Sequence, residues 1–188
     1  MDTDSFAPGP RDRDALRALG VEGEAPVVLF VGIDRPTKGP DVAMGAASLV
    51  PDVEWVFVGA PPAPGAPGRW ITSVPRQEMT TLLRSVDLVV APSRYESFGV
   101  LSAESIASGT PVLSTRNGLA EFLSEHGVEL PWLPHGLGAE QLASRVRDAC
   151  RRLDELQQLS LLARKPLVDE LRPSAWMGSL RRALGVSE

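Results

Sequence analysis

Short apolar runs alternate with helix-patterned polar stretches along most of the chain. The run at residues 27–32 is apolar until it ends at a glycine, which is typical of a strand buried on both faces of a sheet. The same pattern predicts further strands at residues 55–59, 69–72, 88–91 and 112–114, with a possible sixth at 128–130. Helices are predicted between successive strands. After the last strand, two further helical stretches are predicted, over residues 139–162 and 166–184.

This alternation predicts an α/β fold, a Rossmann-like parallel sheet of about six strands with helices on both faces. Residues 1–26 are polar, carry three prolines and are predicted as a linker segment with one short helix. Residues 27–165 are predicted as the Rossmann-like domain and residues 166–188 as a carboxyl-terminal helical tail. Since such sheets bind ligands beyond the carboxyl ends of their strands, the loops at those ends are the places to search for a site.

Composition narrows the class of protein. The 188 residues are 43% hydrophobic and 23% charged, as expected of one globular domain. The net charge of −5 disfavours nucleic-acid binding, and the single cysteine, Cys150, fits a cytoplasmic location. No apolar run approaches the roughly 20 residues of a membrane span. One Cys and two His cannot supply a structural zinc site, and two Asp-x-Asp triplets near the start are interpreted as solvated acids or helix caps.

The strongest candidate for chemistry follows the fourth predicted strand, at residues 92–104. Glu96 lies in the loop and Glu104 in the following helix, with seven residues between them. The turn at 97–101 should aim backbone N–H groups outward at the positive end of this helix, where Gly99 lets an anion approach closely. Two carboxylates beside such a turn suit sugar hydroxyls. A simpler interpretation stays open, in which both acids are ordinary surface residues.

Residues 92–114 resemble the carboxyl-terminal half of the retaining glycosyltransferases of family 4, which have the GT-B fold. That family carries a Glu, seven residues and a second Glu in a P-S-x-x-E-x-F-G frame, followed by a G-x-P-V strand. The matching residues here are Pro92, Ser93, Glu96, Phe98, Gly99, Glu104, Gly109, Pro111 and Val112. Other segments match in the same order, and the resemblance covers about residues 2–125.

The resemblance implies one half of a GT-B fold, which binds a nucleoside-diphosphate sugar such as a UDP or GDP sugar. Glu104 would bind the ribose, Glu96 the donor sugar, and Lys38 the diphosphate. Further nucleotide-binding positions implied by the resemblance are Gly32, Val74 in the segment beside the base, and the turn residues Ser97, Phe98, Gly99, Val100 and Leu101. The resemblance is to family members that need no metal, and no other cofactor is expected.

The chain departs from the family in two loops. Ile33 stands where the family usually has a phosphate-binding Arg; Arg35 is a candidate to replace it, and the alternative is a solvent-facing Arg35 paired with Asp34 or Asp41. The loop at 115–121 keeps one glycine where relatives often carry two, and is interpreted as an ordinary helix-starting turn. Trp70 is interpreted as core packing rather than as a stacking surface for the ligand.

A complete transferase of this kind has a further, amino-terminal domain that binds the acceptor. Residues 1–6 resemble the linker between the two domains, and the helical tail with Trp176 would pack on the missing one. We therefore expect the donor-binding half of a transferase, inactive or nearly so alone, whose acceptor half is missing from a truncated chain or is a separate chain. Two alternatives stay open: a non-catalytic nucleotide-sugar-binding subunit and a sugar epimerase of related architecture.

Overall fold

The computed structural model describes residues 5–32, 35–61, 63–172, 175 and 177. Within them five parallel strands form one sheet in the order β3-β2-β1-β4-β5. Their bounds are β1 (Val27–Val31), β2 (Glu54–Val58), β3 (Arg69–Ile71), β4 (Leu88–Ala91) and β5 (Val112–Ser114). The predicted parallel α/β fold is therefore confirmed.

The possible sixth strand at residues 128–130 is wrong. The backbone there closes the preceding helix, since the N–H of Val128 donates to the carbonyl of Leu123 at 2.9 Å. The chain then turns, with the N–H of Trp132 bonded to the carbonyl of Leu130. The chain contacts the edge of the sheet only after this turn, where Leu133 forms an isolated bridge with Thr115.

Helices cover both faces of the sheet. Along β1, Val28 and Phe30 belong to one core and Val27 and Leu29 to the other, as the two-residue period of a strand requires. Helices α2 and α6 pack on the first face, while α1, α3, α4 and α5 pack on the second. The helix bounds are α1 (Arg13–Ala18), α2 (Pro40–Leu49), α3 (Arg76–Ser85), α4 (Val100–Ala107), α5 (Gly118–Glu125), α6 (Ala139–Cys150) and α7 (Leu153–Leu171).

Helix α7 joins the two faces. Leu156 near its start packs in the first core and Leu167 in the second. The helix continues through Pro166, so the gap predicted between residues 162 and 166 is wrong. Trp176 and most of the predicted tail lie outside the described residues.

The segment before β1, described from residue 5 onwards, is fastened to the amino-terminal end of the sheet. Arg11 donates to both carboxylate oxygens of Asp87, at 2.6 and 2.7 Å, and to the carbonyl of Ser85. Asp87 also accepts the N–H of Val27, the first residue of β1. Asp12 caps α1 by accepting the N–H of Ala15, so the interpretation of the second Asp-x-Asp triplet as a helix cap is confirmed at Asp12. The first triplet lies outside the described residues.

Candidate functional site

A cavity of about 600 Å³ opens beyond the carboxyl ends of β1, β2 and β4. It includes the point where the strand order passes from β1 to β4, which is where open α/β sheets bind their ligands. Seven of the residues predicted for the site line it: Gly32, Arg35, Lys38, Val74, Glu96, Gly99 and Leu101. Segments far apart in the sequence are thus gathered around one cavity.

Lys38 and Glu96 face each other directly across this cavity. The ammonium of Lys38 donates to Oε2 of Glu96, and the two side chains are 28% and 19% exposed. Lys38 ends a 3₁₀ turn (Pro36–Lys38) that follows β1, and Glu96 lies in the loop after β4. The pair thus places one positive and one negative charge beyond the carboxyl ends of two neighbouring strands, β1 and β4.

Helix α4 begins at the cavity with its first turn uncapped. Gly99 precedes it in the left-handed conformation, with φ of 90°, and supplies no side-chain cap. Within the described residues, no acceptor reaches the backbone N–H groups of Val100, Leu101 or Ser102, and the first turn holds no acidic side chain. The positive end of the helix dipole and these free donors together favour an anion.

Four predicted residues do not line the cavity. The carbonyls of Ser97 and Phe98 accept the N–H groups of Gly118 and Leu119 at the start of α5, so this part of the turn holds two helices together. The ring of Phe98 packs on Phe122, and Val100 is 55% exposed. The fourth is Glu104.

Glu104 is 4% exposed and lies in α4 behind the first turn. Its Oε1 is 2.7 Å from Nη2 of Arg76 at the start of α3, but no hydrogen bond of good geometry reaches this oxygen within the described residues. The guanidinium of Arg76 also lies over the ring of Phe6, 5.0 Å from its centroid. Glu104 is therefore a buried carboxylate with an ionic neighbour and an unfilled acceptor.

Arg35 lines the cavity and has no ion-pair partner within the described part of the chain. Arg35 is exposed, as its alternative interpretation expects, but no ion pair joins it to Asp41, whose carboxylate accepts hydrogen bonds from both terminal nitrogens of Arg94. Ile33 and Asp34 lie outside the described residues.

The pairing of Arg94 with Asp41 was not found from the sequence. Hydrogen bonds from Arg94 hold the pKa of the Asp41 carboxyl below its usual range, and Asp41 raises the pKa of Arg94. The two residues stand 53 positions apart, and no periodicity links them. The available signal was the position of Arg94, two residues before Glu96.

Residues judged to be structural have structural contacts. Trp70 stacks on Phe57 with ring centroids 4.7 Å apart, which confirms its interpretation as core packing. Asn117 caps α5 by accepting the N–H of Leu119, which confirms the loop at 115–121 as a helix-starting turn.

The remaining candidates give no further site. Burial, with a smaller effect of the Asp87 charge, raises the pKa of the Cys150 thiol to about 11. In the described ranges, no three His, Cys, Asp or Glu side chains cluster as a metal site would require. No helix found there has the length and hydropathy needed to cross a bilayer.

This architecture, with its cavity at the switch point of a parallel sheet, defines a Rossmann-like domain. The family described as glycosyl transferases group 1 matches residues 25–152. The chain therefore belongs to the group 1 glycosyltransferases.

Curated relatives carry the name D-inositol 3-phosphate glycosyltransferase. The protein from Mycobacterium leprae (strain Br4923) is 33% identical over 208 aligned residues, which cover 98% of this chain and 48% of the relative. The protein from Mycobacterium sp. (strain KMS) is 38% identical over 136 residues, which cover 63% of this chain and 30% of the relative. The chain thus spans less than half the length of either relative.

Several solved structures share the fold. Sucrose-phosphate synthase from Thermosynechococcus elongatus matches all of this chain and 52% of its own, with a TM-score of 0.80 and 22% identity. HepE from Anabaena, solved with UDP-glucose, matches all of this chain and 56% of its own, with a TM-score of 0.77 and 20% identity. The carboxyl-terminal domain of LpcC from Francisella tularensis matches 92% of this chain and 99% of that domain, with a TM-score of 0.73 and 19% identity.

Proposed function

We propose that this chain is the donor-binding half of a retaining glycosyltransferase of family 4 and that its cavity holds a nucleoside-diphosphate sugar. The observation that carries the proposal is the convergence of Lys38, Glu96 and the uncapped start of α4 on one cavity at the switch point of the sheet. UDP-glucose bound to HepE, which has the same fold, supports the choice of ligand class.

The charged end of the cavity suits a diphosphate. Lys38 and Arg35 bring positive charge, and the first turn of α4 brings backbone N–H donors. Fixed donors of this kind stabilise the negative charge that develops on the diphosphate as the bond to the sugar breaks. In the bound state the ammonium of Lys38 donates to a phosphate oxygen instead of to Glu96. The carboxylate of Glu96 then becomes free to accept hydrogen bonds from hydroxyl groups of the donor sugar.

The other end of the cavity suits a nucleoside. Thr72, Ser73 and Val74 line it after β3 and offer backbone groups to a base, with Met79 beside them. Glu104 lies behind this region and accepts the ribose hydroxyls when Arg76 gives way. A volume of about 600 Å³ lies in the range of small-molecule sites, roughly 300–1,000 Å³.

The acceptor is assigned to an amino-terminal domain, in the same polypeptide or in a separate one. The greater length of the relatives supports this division, as does the match of this chain to nearly all of the carboxyl-terminal domain of LpcC. We place the protein in the cytoplasm and assign its reaction no metal or other cofactor. Alone, the chain is expected to bind donor and to transfer little or no sugar.

Calorimetry with UDP, GDP and ADP tests the proposal. One nucleoside diphosphate is expected to bind, with or without EDTA, and Lys38→Ala should weaken it about tenfold or more, because a charge-assisted contact is lost. Uridine or guanosine affinity should change little. Lys165→Ala is the matched control, since Lys165 is the other lysine of the chain and pairs with Asp169 on α7.

Absence of binding to every diphosphate, or equal losses in both lysine variants, would contradict the proposed function. Adding a candidate amino-terminal half and assaying sugar transfer then separates a catalytic half from a non-catalytic binding subunit.

A further inference from the structure

Two loops carry the opposed charges of the cavity. The Lys38 loop (residues 35–39) follows β1 and leads into α2, and the Glu96 loop (residues 92–96) follows β4. Their charged side chains are separated by 58 positions in the sequence. A lysine side chain is long and flexible, so its position opposite an acid depends on how the two loops are held together.

The backbones of the two loops are in direct contact. The carbonyl of Thr37 accepts the N–H of Arg94 at 2.8 Å and that of Tyr95 at 3.3 Å. Gly39 has φ of 75°, and a Cβ atom there would lie 2.4 Å from the carbonyl oxygen of Pro92. The loops therefore touch on both sides of Lys38.

The side chain of Arg94 adds a second attachment. Its Nη1 donates to the carbonyl of Pro36 at 2.8 Å and to Oδ1 of Asp41 at 2.8 Å, while Nη2 donates to Oδ2 of Asp41 at 2.6 Å. Pro36 begins the 3₁₀ turn, and Asp41 lies in the first turn of α2. One guanidinium thus joins the start of the turn that carries Lys38 to the first turn of the helix that follows it.

Stability alone does not account for this pairing. The side chains of Arg94 and Asp41 are 49% and 63% exposed, and exposed ion pairs contribute little to the free energy of unfolding. The planar fork of arginine does, however, fix geometry, because two parallel hydrogen bonds allow one orientation of the carboxylate.

We propose that Arg94 is a positioning residue that holds Lys38 opposite Glu96 and thereby sets the place of the cation in the cavity. The role of this cation in diphosphate binding rests on the proposed function. The position of Lys38 does not, and it can be measured without a ligand.

The chain contains only two lysines, so reductive ¹³C-methylation gives one NMR signal for Lys38 and one for Lys165 beside that of the terminal amine. Lys38→Arg and Lys165→Arg assign them. Glu96→Gln should move the Lys38 signal, and Arg94→Ala should move it in the same direction and leave the Lys165 signal in place. Arg152→Ala, which removes a paired arginine at the start of α7, is the matched control and should move neither.

Calorimetry provides the functional test. Arg94→Ala should weaken nucleoside-diphosphate binding about tenfold and leave nucleoside binding unchanged. In a Lys38→Ala background it should add no further loss, because a residue that acts through Lys38 has nothing left to position. Arg94→Lys should not restore affinity, since an ammonium lacks the bidentate fork.

An unchanged Lys38 signal in Arg94→Ala, or losses that add in the double variant, would overturn the proposal. Urea unfolding checks that Arg94→Ala retains its fold; Asp41→Asn removes the bidentate carboxylate with less change of shape and should give the same NMR shift. If the unmodified chain binds no diphosphate, the proposed function fails, and the lysine spectrum still decides the role of Arg94.

Discussion

Two ion pairs of nearly equal exposure lie at opposite edges of the sheet. Arg11 and Asp87, at the amino-terminal edge, are 27% and 18% exposed, and Lys38 and Glu96, at the carboxyl-terminal edge, are 28% and 19% exposed. Burial and charge are matched, so neither explains why one pair fastens a segment and the other lies in a cavity.

The pairs differ in how completely their hydrogen bonds are used. Arg11 donates to both oxygens of Asp87 and to the carbonyl of Ser85, and Asp87 also accepts the N–H of Val27. Within the described residues the ammonium of Lys38 makes one hydrogen bond, to Glu96, although an ammonium has three donors. A saturated pair stabilises the fold, whereas an unsaturated pair can exchange its partner for a ligand.

Removal of the saturated pair should have the largest effect. Asp87→Ala leaves the guanidinium of Arg11 and the N–H of Val27 without their acceptor, so we expect the free energy of unfolding to fall by about 2–3 kcal/mol. Urea denaturation measures it. Asp14→Ala, which removes the exposed partner of Arg17, should have little effect; a similar small loss in both variants would remove the distinction between the two edges.

The buried acid beside the cavity should show a smaller effect, on affinity. Glu104→Ala removes the proposed ribose acceptor, so the affinities for nucleoside and nucleoside diphosphate should both fall by up to about tenfold. This differs from Lys38→Ala, which should affect only the diphosphate. Calorimetry compares the two, with Glu140→Ala at the start of α6 as control. Unchanged nucleoside affinity would exclude Glu104 from the ribose site.

Neutralising the acid of the unsaturated pair should have a weaker effect of opposite sign. Glu96→Gln frees Lys38 from its competing partner, so the nucleoside diphosphate should bind equally well or a few-fold more tightly. The nucleotide sugar should gain less, because Glu96 is the proposed contact of the sugar. A strong loss of diphosphate affinity would show that Glu96 supports the bound Lys38 rather than competing for it. The free energy of unfolding should change by less than about 1 kcal/mol.

The pair of His126 and Glu170 extends the comparison, because pH changes the charge of the histidine. A hydrogen bond with the carbonyl of Phe122, followed by the carboxylate of Glu170, raises the pKa of His126. Its folded pKa is raised, so the stabilisation is complete below the unfolded value near 6.5 and is lost as pH rises through the folded value. Melting temperatures from pH 5.5 to 9 should therefore show a small advantage over Glu170→Gln that disappears at high pH. A constant difference would contradict this.

The parallel sheet could be predicted because its signals are local. β1, β4 and β5 are short apolar runs, and both faces of β1 are buried. The segment at 128–130 is interrupted by Glu129 and carries a weaker signal, and the backbone of Val128 closes α5 instead of joining the sheet. Apolar character reports burial, and it does not report which backbone partner is available.

The charged site could be predicted only in part. Lys38 and Glu96 were found because the motif and the strand ends place them at one edge of the sheet. Arg94 and Arg76 were not, because their partners come from distant segments and each resembles an ordinary surface arginine. The residues of a motif are visible in a sequence, whereas the side chains that hold two loops in register are visible only in three dimensions.

The close approach of Gly39 to the carbonyl of Pro92 makes position 39 a point of vulnerability. A single methyl group there would collide with this carbonyl and push the two loops apart. It would thereby separate the ammonium of Lys38 from the carboxylate of Glu96 without changing either side chain. Variation at this glycine would thus disturb the contact between the two loops although the residue has no functional group, and the backbone has no room for a side chain at this position.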